Sequence, residues 1–343
     1  MTRLRVACVG TGFIAGRHLA ALSSFDDVDV VAVADVVPER VREVAARYGA
    51  TAYDDGAALL QQEELDAVWL CVPPFAHGPL EHAAVARGLP FFVEKPLSVD
   101  LPVAVEVAAA VRAQGLLTCV GYHWRSLSLV EQARELIGDA PVQLLTGSWL
   151  DSTPAAAWWS RREGSGGQLV EQTTHLVDLA RLLGGEVEAV TALETTASRA
   201  AWPEANVPTA SALLLQFRGG AVGTIASSCV LDRRHQVQLQ VVVEGQTLDL
   251  REAGLSDHEL RIATSAGEQV VRTTEDPVAR EDRAFVDALL GRSPHVPVPY
   301  DEGLRTHAVV CAADRSARAG GERVVVADLL GDHDLLRGGA PRG

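Results

Sequence analysis

Residues 4–16 read LRVACVGTGFIAG, and this stretch decides the fold. Residues 4–10 are a nearly unbroken apolar run, the pattern of a strand buried on both faces of a parallel sheet. The run leads into Gly10-Thr11-Gly12-Phe13-Ile14-Ala15, which fits G-x-G-x-x-G/A with alanine at the third small position. Gly10 permits a tight turn, Gly12 lets the backbone approach a pyrophosphate, and the N-terminus of the next helix offers donors to it. Asp35 closes the next apolar run, about 20 residues on, where a carboxylate accepts hydrogen bonds from the adenine-ribose hydroxyls and repels a 2′-phosphate. The expected cofactor is therefore NAD, with NADP disfavoured. Arg40 lies close enough to soften that preference.

Working outward, the strand signature recurs at 28–35, 67–72, 90–93 and 116–121. Helix-period segments at 12–22, 38–48, 75–87 and 99–114 alternate with these runs. This alternation predicts an α/β doubly wound parallel sheet over residues 1–122. From about residue 140 the pattern changes. Alternating runs at 141–150, 186–197, 210–217, 221–230, 237–244 and 246–251, with Gly-containing turns between several of them, predict a mainly antiparallel sheet. Helices are expected at 168–183, 277–290 and 302–319. The second domain, α+β with an open sheet, is expected to span 123–330, with 331–343 a tail.

Composition narrows the function. The chain has 343 residues and a net charge of −15, from 45 acidic and 30 basic side chains. That balance argues against a nucleic-acid or anionic-membrane surface. No apolar run approaches the ~20 residues of a membrane helix, and the start lacks a signal-peptide cleavage site. A soluble, cytoplasmic protein is expected. The five scattered cysteines form no CxxC, so reduced thiols are expected and no metal site. One count stands out: Lys95 is the only lysine, the other 29 basic residues being arginine.

Two further motifs lie at carboxyl ends of sheet strands, where open α/β sheets bind ligands: Cys71-Val72-Pro73-Pro74-Phe75-Ala76-His77 and Glu94-Lys95-Pro96. With them the chain resembles the Gfo/Idh/MocA oxidoreductases, named for glucose-fructose oxidoreductase and inositol 2-dehydrogenase. The similarity continues through VGYHWR, GGQLVEQTTHLVDLARLLGG and EDRAFVDALL, so it spans nearly the whole chain. It implies a cofactor site of Gly10, Gly12, Phe13, Ile14, Asp35, Arg40, Val72, Pro73, His77, Glu94 and Lys95. Lys95 would stand beside the nicotinamide ribose and the reacting hydroxyl, with Glu94 supporting the cofactor side. His175 would be the general base toward a secondary alcohol. Glu171 falls where the family commonly has aspartate, and i,i+4 spacing on one helix would let it partner His175.

Tyr122, Trp124 and Arg125 match a stretch from which family members build the substrate wall. Of the adjacent Trp158 and Trp159, which point opposite ways in a strand, Trp159 is expected to line the site. The remaining histidines read as surface or packing residues (His18, His82), solvated loops (His258, His295, His333) or structure (His307). The resemblance implies an NAD-dependent dehydrogenase of a sugar, cyclitol or derivative, assembled as a homodimer or homotetramer. Two other classes stay open at this point: an NAD-retaining glycosidase or epimerase-like enzyme using transient oxidation, and a redox-inactive sugar or nucleotide sensor.

Overall fold

A computed structural model describes residues 3–254 and 256–330; the expected tail and His333 lie outside them. The first strands are β1 (Leu4–Val9), β2 (Val28–Ala34), β3 (Thr51–Tyr53), β4 (Ala67–Leu70), β5 (Phe91–Val93) and β6 (Thr118–Val120). They form one sheet in the order β3-β2-β1-β4-β5-β6, and every pairing is parallel. Between them run α1 (Phe13–Ser23), α2 (Pro38–Tyr48), α3 (Gly56–Gln62), α4 (Pro79–Ala86) and α5 (Leu101–Gln114). β1 sits centrally with Val6, Ala7 and Cys8 fully buried, as the unbroken apolar run requires. The expected helix over 75–87 is shorter, because Gly78 at φ +106° and Pro79 restart the chain after a 3-10 turn at Pro74–Ala76.

The later elements are α6 (Ser128–Ile137), β7 (Leu144–Ser152), α7 (Arg162–Ser165), α8 (Gln168–Glu171), α9 (Thr174–Gly184), β8 (Val187–Thr195), β9 (Ala210–Phe217) and β10 (Val222–Leu231). Then follow β11 (Gln236–Val243), β12 (Gln246–Gly254), β13 (Asp257–Thr264) and β14 (Gly267–Thr273). Last come α10 (Pro277–Leu289), α11 (Tyr300–Arg318), β15 (Val324–Val325) and α12 (Val326–Leu330). The second sheet has the order β14-β13-β12-β11-β7-β10-β9-β8-β15. Only the β7–β10 pairing is parallel; the rest are antiparallel. In β9 the buried residues are Ser211, Leu213, Leu215 and Phe217, alternating with solvent-facing ones, so one face is a core and the other is open.

The chain divides into two compact units. The first comprises the residues up to Ser98, Pro102–Ser126 and Asp276–Gly303; the second comprises Val99–Leu101, Leu127–Glu275 and the residues from Leu304 on. The expected second domain over 123–330 is thus interrupted. α10 returns to the first unit because Phe285 and Val286 complete its core, with Phe285 edge-on to Trp69 at 5.5 Å and tilted against Phe92 at 6.1 Å. The strands β3, β13, β14 and β15 and the helices α3, α6 and α12 were not anticipated from the pattern; β14 in particular has no buried residue to mark it.

The turn after β1 leaves no room for a side chain. Gly10 has φ +90°, and a Cβ there would lie 2.2 Å from the carbonyl oxygen of Cys71. Gly10→Ala combines left-handed strain with overpacking against backbone that cannot rotate away, for a cost of about 3 kcal/mol. A fall in the thermal midpoint on the order of 10 °C is expected, checked by calorimetry; an unchanged melt would mean that the turn relaxes freely.

Candidate active site

The first unit carries the expected cofactor residues at the carboxyl ends of its strands. α1 begins at Gly12 with no side-chain cap, leaving N–H groups of its first turn for an outside acceptor. A Cβ at Gly12 would have nothing within 4 Å, and Phe13 beside it is 73% exposed. The backbone is therefore approachable from outside at the point where a pyrophosphate needs it. Ile14, Val72 and Pro73 are half-buried nearby in sequence to these turns.

Asp35 is buried at the end of β2, with four sources of donors around its carboxylate. Thr11 donates from its backbone N (2.8 Å) and hydroxyl (2.7 Å), and Val37 N donates at 2.9 Å. Arg40 closes the ring through Nη2 at 2.7 and 2.8 Å and Nε at 3.2 Å. Burial opposes ionisation, but the Arg40, Thr11 and Val37 donors outweigh it and hold the Asp35 carboxyl below its ordinary value. The other donors are fixed by the backbone or lie in the turn; the Arg40 side chain is nearly half exposed, so it is the partner that can give way to a ribose hydroxyl.

His77 is buried, its Nδ1 2.5 Å from Glu81 Oε1, while Glu81 Oε2 accepts the Gly78 N–H at 2.6 Å. This pair fixes the loop after β4 at the start of α4. Glu94 does not stand at the surface with its neighbour. It is 3% exposed, with Oε2 accepting the Lys95 N–H at 3.1 Å and Oε1 3.0 Å from His18 Nε2. Lys95 itself is half-buried, and its peptide bond to Pro96 is cis. Tyr122 and Trp124 are 1% and 2% exposed, core side chains of this unit more than an open wall. Arg125 pairs with Glu302 at 3.0 Å.

The second unit holds His175, and here one expectation is corrected. Glu171 and His175 do not share a helix: α8 ends at Glu171 and α9 starts at Thr174. At the junction Thr173 N donates to Gln168 O, five residues back, and His175 N donates to Gln172 O, three back. A wide turn followed by a tight one replaces the regular i,i+4 ladder. Glu171 Oε2 accepts Trp159 Nε1–H at 2.7 Å. His175 is buried and stacks on Trp149, centroids 5.9 Å apart and planes 20° apart. Arg234 lies over the same indole at 5.8 Å and is held by Asp151 at 2.8 Å. Trp158 and Trp159 sit in a 3-10 turn, Ala157–Ser160, and not in a strand; Trp159 is the buried one.

Sequence reasoning missed three contributors. Thr11 holds Asp35; a hydroxyl side chain between the two fingerprint glycines was the available signal. Trp149 provides the stacking surface for His175, and its signal was an aromatic on the apolar phase of β7. His18, read as surface or packing, is wholly buried between two carboxylates. His258 was also misread; it is 2% exposed.

Comparison with known proteins agrees with this geometry. Residues 4–122 match the oxidoreductase family with an NAD-binding Rossmann fold, and residues 132–249 match the GFO/IDH/MocA C-terminal domain. The chain belongs to the Gfo/Idh/MocA oxidoreductases. It is similar to the inositol 2-dehydrogenase of Streptomyces avermitilis, 29% identical over 357 residues that cover 97% of this chain and 99% of that one. The myo-inositol 2-dehydrogenase of Thermotoga maritima is 27% identical over 230 residues, 66% of this chain and 68% of that one. Among solved structures, GenD2 from gentamicin A biosynthesis in complex with NAD superposes with a TM-score of 0.82 at 25% identity, covering 95% of this chain and 97% of that one. The family is one of oxidoreductases with an NAD-binding Rossmann fold, and the open N-terminus of α1 and the buried Asp35 fit that cofactor.

Asp35→Ser is expected to weaken NADH binding about tenfold, the worth of a hydrogen bond to a charged group, and to relax discrimination against NADPH. Arg40→Ala leaves the carboxylate but removes its neutralising partner, and should widen the preference for NADH. Fluorescence titration of both cofactors checks each variant; a wild type that prefers NADPH would refute the role given to Asp35.

Proposed function

We propose that the protein transfers a hydride between NAD and a secondary hydroxyl of a sugar, cyclitol or sugar derivative. Bound NAD supplies the hydride acceptor, nicotinamide C4. His175 takes the hydroxyl proton, and Lys95 donates a hydrogen bond to the same oxygen, stabilising developing alkoxide charge. Glu171, through Trp159, orders the segment that leads into His175. The observation that carries this reading is His175 itself: a buried imidazole stacked on an indole in the segment that matches the family. Aromatic faces suit the C–H faces of a polyol ring. Names of similar proteins, inositol 2-dehydrogenase twice and D-apiose dehydrogenase once, support a polyol or sugar substrate.

A reducing, cytoplasmic setting is supported by five free cysteines, four of them buried. Among the described residues no helix is long and apolar enough to cross a membrane. Self-association into a dimer or tetramer is supported by the open sheet face, where Leu193, Leu214 and Val222 are about half exposed on adjoining strands β8, β9 and β10.

A screen of sugars, inositols and their acids with NAD, followed by NADH absorbance, tests the activity. With a substrate in hand, His175→Asn should lower kcat by roughly 10²–10⁴, the usual worth of general-base help, while NADH affinity holds. Glu171→Gln should do less damage. Wild-type turnover in the histidine variant across the pH range would remove His175 from the reaction.

The single lysine allows a second test. An amine-directed reagent has one side-chain target besides the terminal α-amine. Reductive labelling is expected to abolish activity at one label on Lys95, located by peptide mapping, and NAD with substrate should protect it. Full modification of Lys95 with turnover intact would take the lysine out of the mechanism.

A further inference from the structure

Beneath the Glu94-Lys95 turn, four ionisable side chains of the first unit meet out of reach of solvent. His18 comes from α1, Glu94 from the end of β5, and Glu281 and Asp282 from α10; none is more than 3% exposed. His18 Nδ1 is 2.8 Å from Asp282 Oδ1, and Nε2 is 3.0 Å from Glu94 Oε1. Trp69 Nε1 donates to Asp282 Oδ1 at 2.8 Å. Ligand-type atoms of His18, Glu94 and Glu281 all lie within 4.8 Å of one another. Gly121 passes so near that a Cβ would stand 2.5 Å from Glu94 Oε1.

Both imidazole nitrogens face carboxylate oxygens. A neutral ring has one N–H and would turn a lone pair on the second carboxylate, whereas an imidazolium donates to both. Burial opposes that charge, but Asp282 and Glu94 outweigh it and raise His18 well above its ordinary value. Burial and the adjacent Glu94 push the Glu281 carboxyl up and favour its neutral form. The other titratable groups facing the cluster are Arg17 of α1, Cys71 after β4 and Cys119 of β6; burial pushes both thiols up, so neither adds charge. Burial pushes the Asp282 carboxyl up as well, against the opposing pull of His18 and Trp69, so the cluster sets a ring whose protonated form is favoured between two acids, with Glu281 beside them. It ties α10, more than 250 residues downstream of His18, to the carboxyl group whose other oxygen accepts the Lys95 N–H.

We propose that His18 and Asp282 are positioning residues for hydride transfer: through Glu94 they fix the backbone of Lys95 and the electrostatic setting of its amine. This rests on the role given to Lys95 above. Neither residue meets substrate. His18 holds Glu94 in one rotamer, and Asp282, itself anchored by Trp69, holds His18. The raised His18 value also ties the cluster to stability. Its contribution is full below the unfolded value near 6.5 and is lost as pH rises through the folded value.

The lone lysine makes the proposal testable without a substrate. His18→Gln, Glu94→Gln and Asp282→Asn are labelled with an amine reagent in parallel with wild type. The rate at Lys95 is read against the α-amine of the same molecule. Freed of the contact that anchors its backbone, Lys95 should label faster by about threefold or more, the factor that one ordinary hydrogen bond carries. The α-amine rate should not change. Asp282→Asn is isosteric and keeps an acceptor for Trp69, so it serves should His18→Gln fail to fold. Imidazole ¹⁵N spectra of wild type at neutral pH should show both His18 nitrogens protonated.

With substrate available, folded Asp282→Asn should lose kcat about tenfold, the scale of one charge-assisted hydrogen bond, with NADH affinity and substrate KM within about twofold. Unchanged Lys95 labelling in the folded variants overturns the proposal, as does a neutral His18 tautomer or a stoichiometric divalent metal in the purified protein. Failure of the earlier reading looks different: Lys95 would be fully labelled with wild-type turnover intact.

Discussion

The close passage of the chain past itself at Gly10 is the constraint on which the rest of the first unit depends. β1 ends against the carbonyl of Cys71, so the turn after it and the loop after β4 occupy adjoining space with nothing between them. That contact fixes three things at once. It aims the N-terminus of α1 outward from an uncapped Gly12, and it brings Thr11 within reach of the carboxylate at the end of β2. It also sets the start of the segment that ends in the His77–Glu81 pair. A side chain at position 10 would separate the two loops, and none of these groups would remain in register.

A second dependence is non-local. The sheet of the first unit is not closed by its own βα repeats. α10, arriving after the whole second sheet, inserts Phe285 and Val286 against Trp69 and Phe92. On its other turns it carries the two acids of the buried cluster. Hydrophobic burial brings α10 to the sheet, and the His18–Asp282 contact chooses its register along the helix. A one-residue slip would leave an imidazole facing apolar packing and an acid without a donor, each costly in the interior.

What was legible in the sequence follows from range. The glycine fingerprint, Asp35, the β-rich runs and the isolated lysine are local patterns, and each stands where its pattern indicated. His18 was misread because its partners are Glu94 and Asp282, and nothing within several residues of position 18 marks a buried ion pair. The single helix expected over 168–183 is broken for a different reason. The wide turn at Thr173 shifts the helix phase, and no proline announces it. β14 escaped notice because Gly267–Thr273 buries no side chain fully and so lacks a period-2 apolar phase.

The same distinction between local and distant explains the use of cations. Arginine serves here as a cross-link between elements remote in sequence. Arg283 spans Asp27 and Asp287, Arg162 spans Glu194 and Asp314, and Arg181 spans Glu186 and Thr306. Each of these uses the planar fork to reach two partners at once, which an ammonium does less well. Position 95 has the opposite requirement. Its backbone N–H is already held by Glu94, and in the function we propose its side chain serves as a compact donor able to turn toward an oxygen. A guanidinium would bring bulk and a fixed plane, and it would keep its proton at any accessible pH. One lysine among 30 basic residues is what such a division of labour leaves.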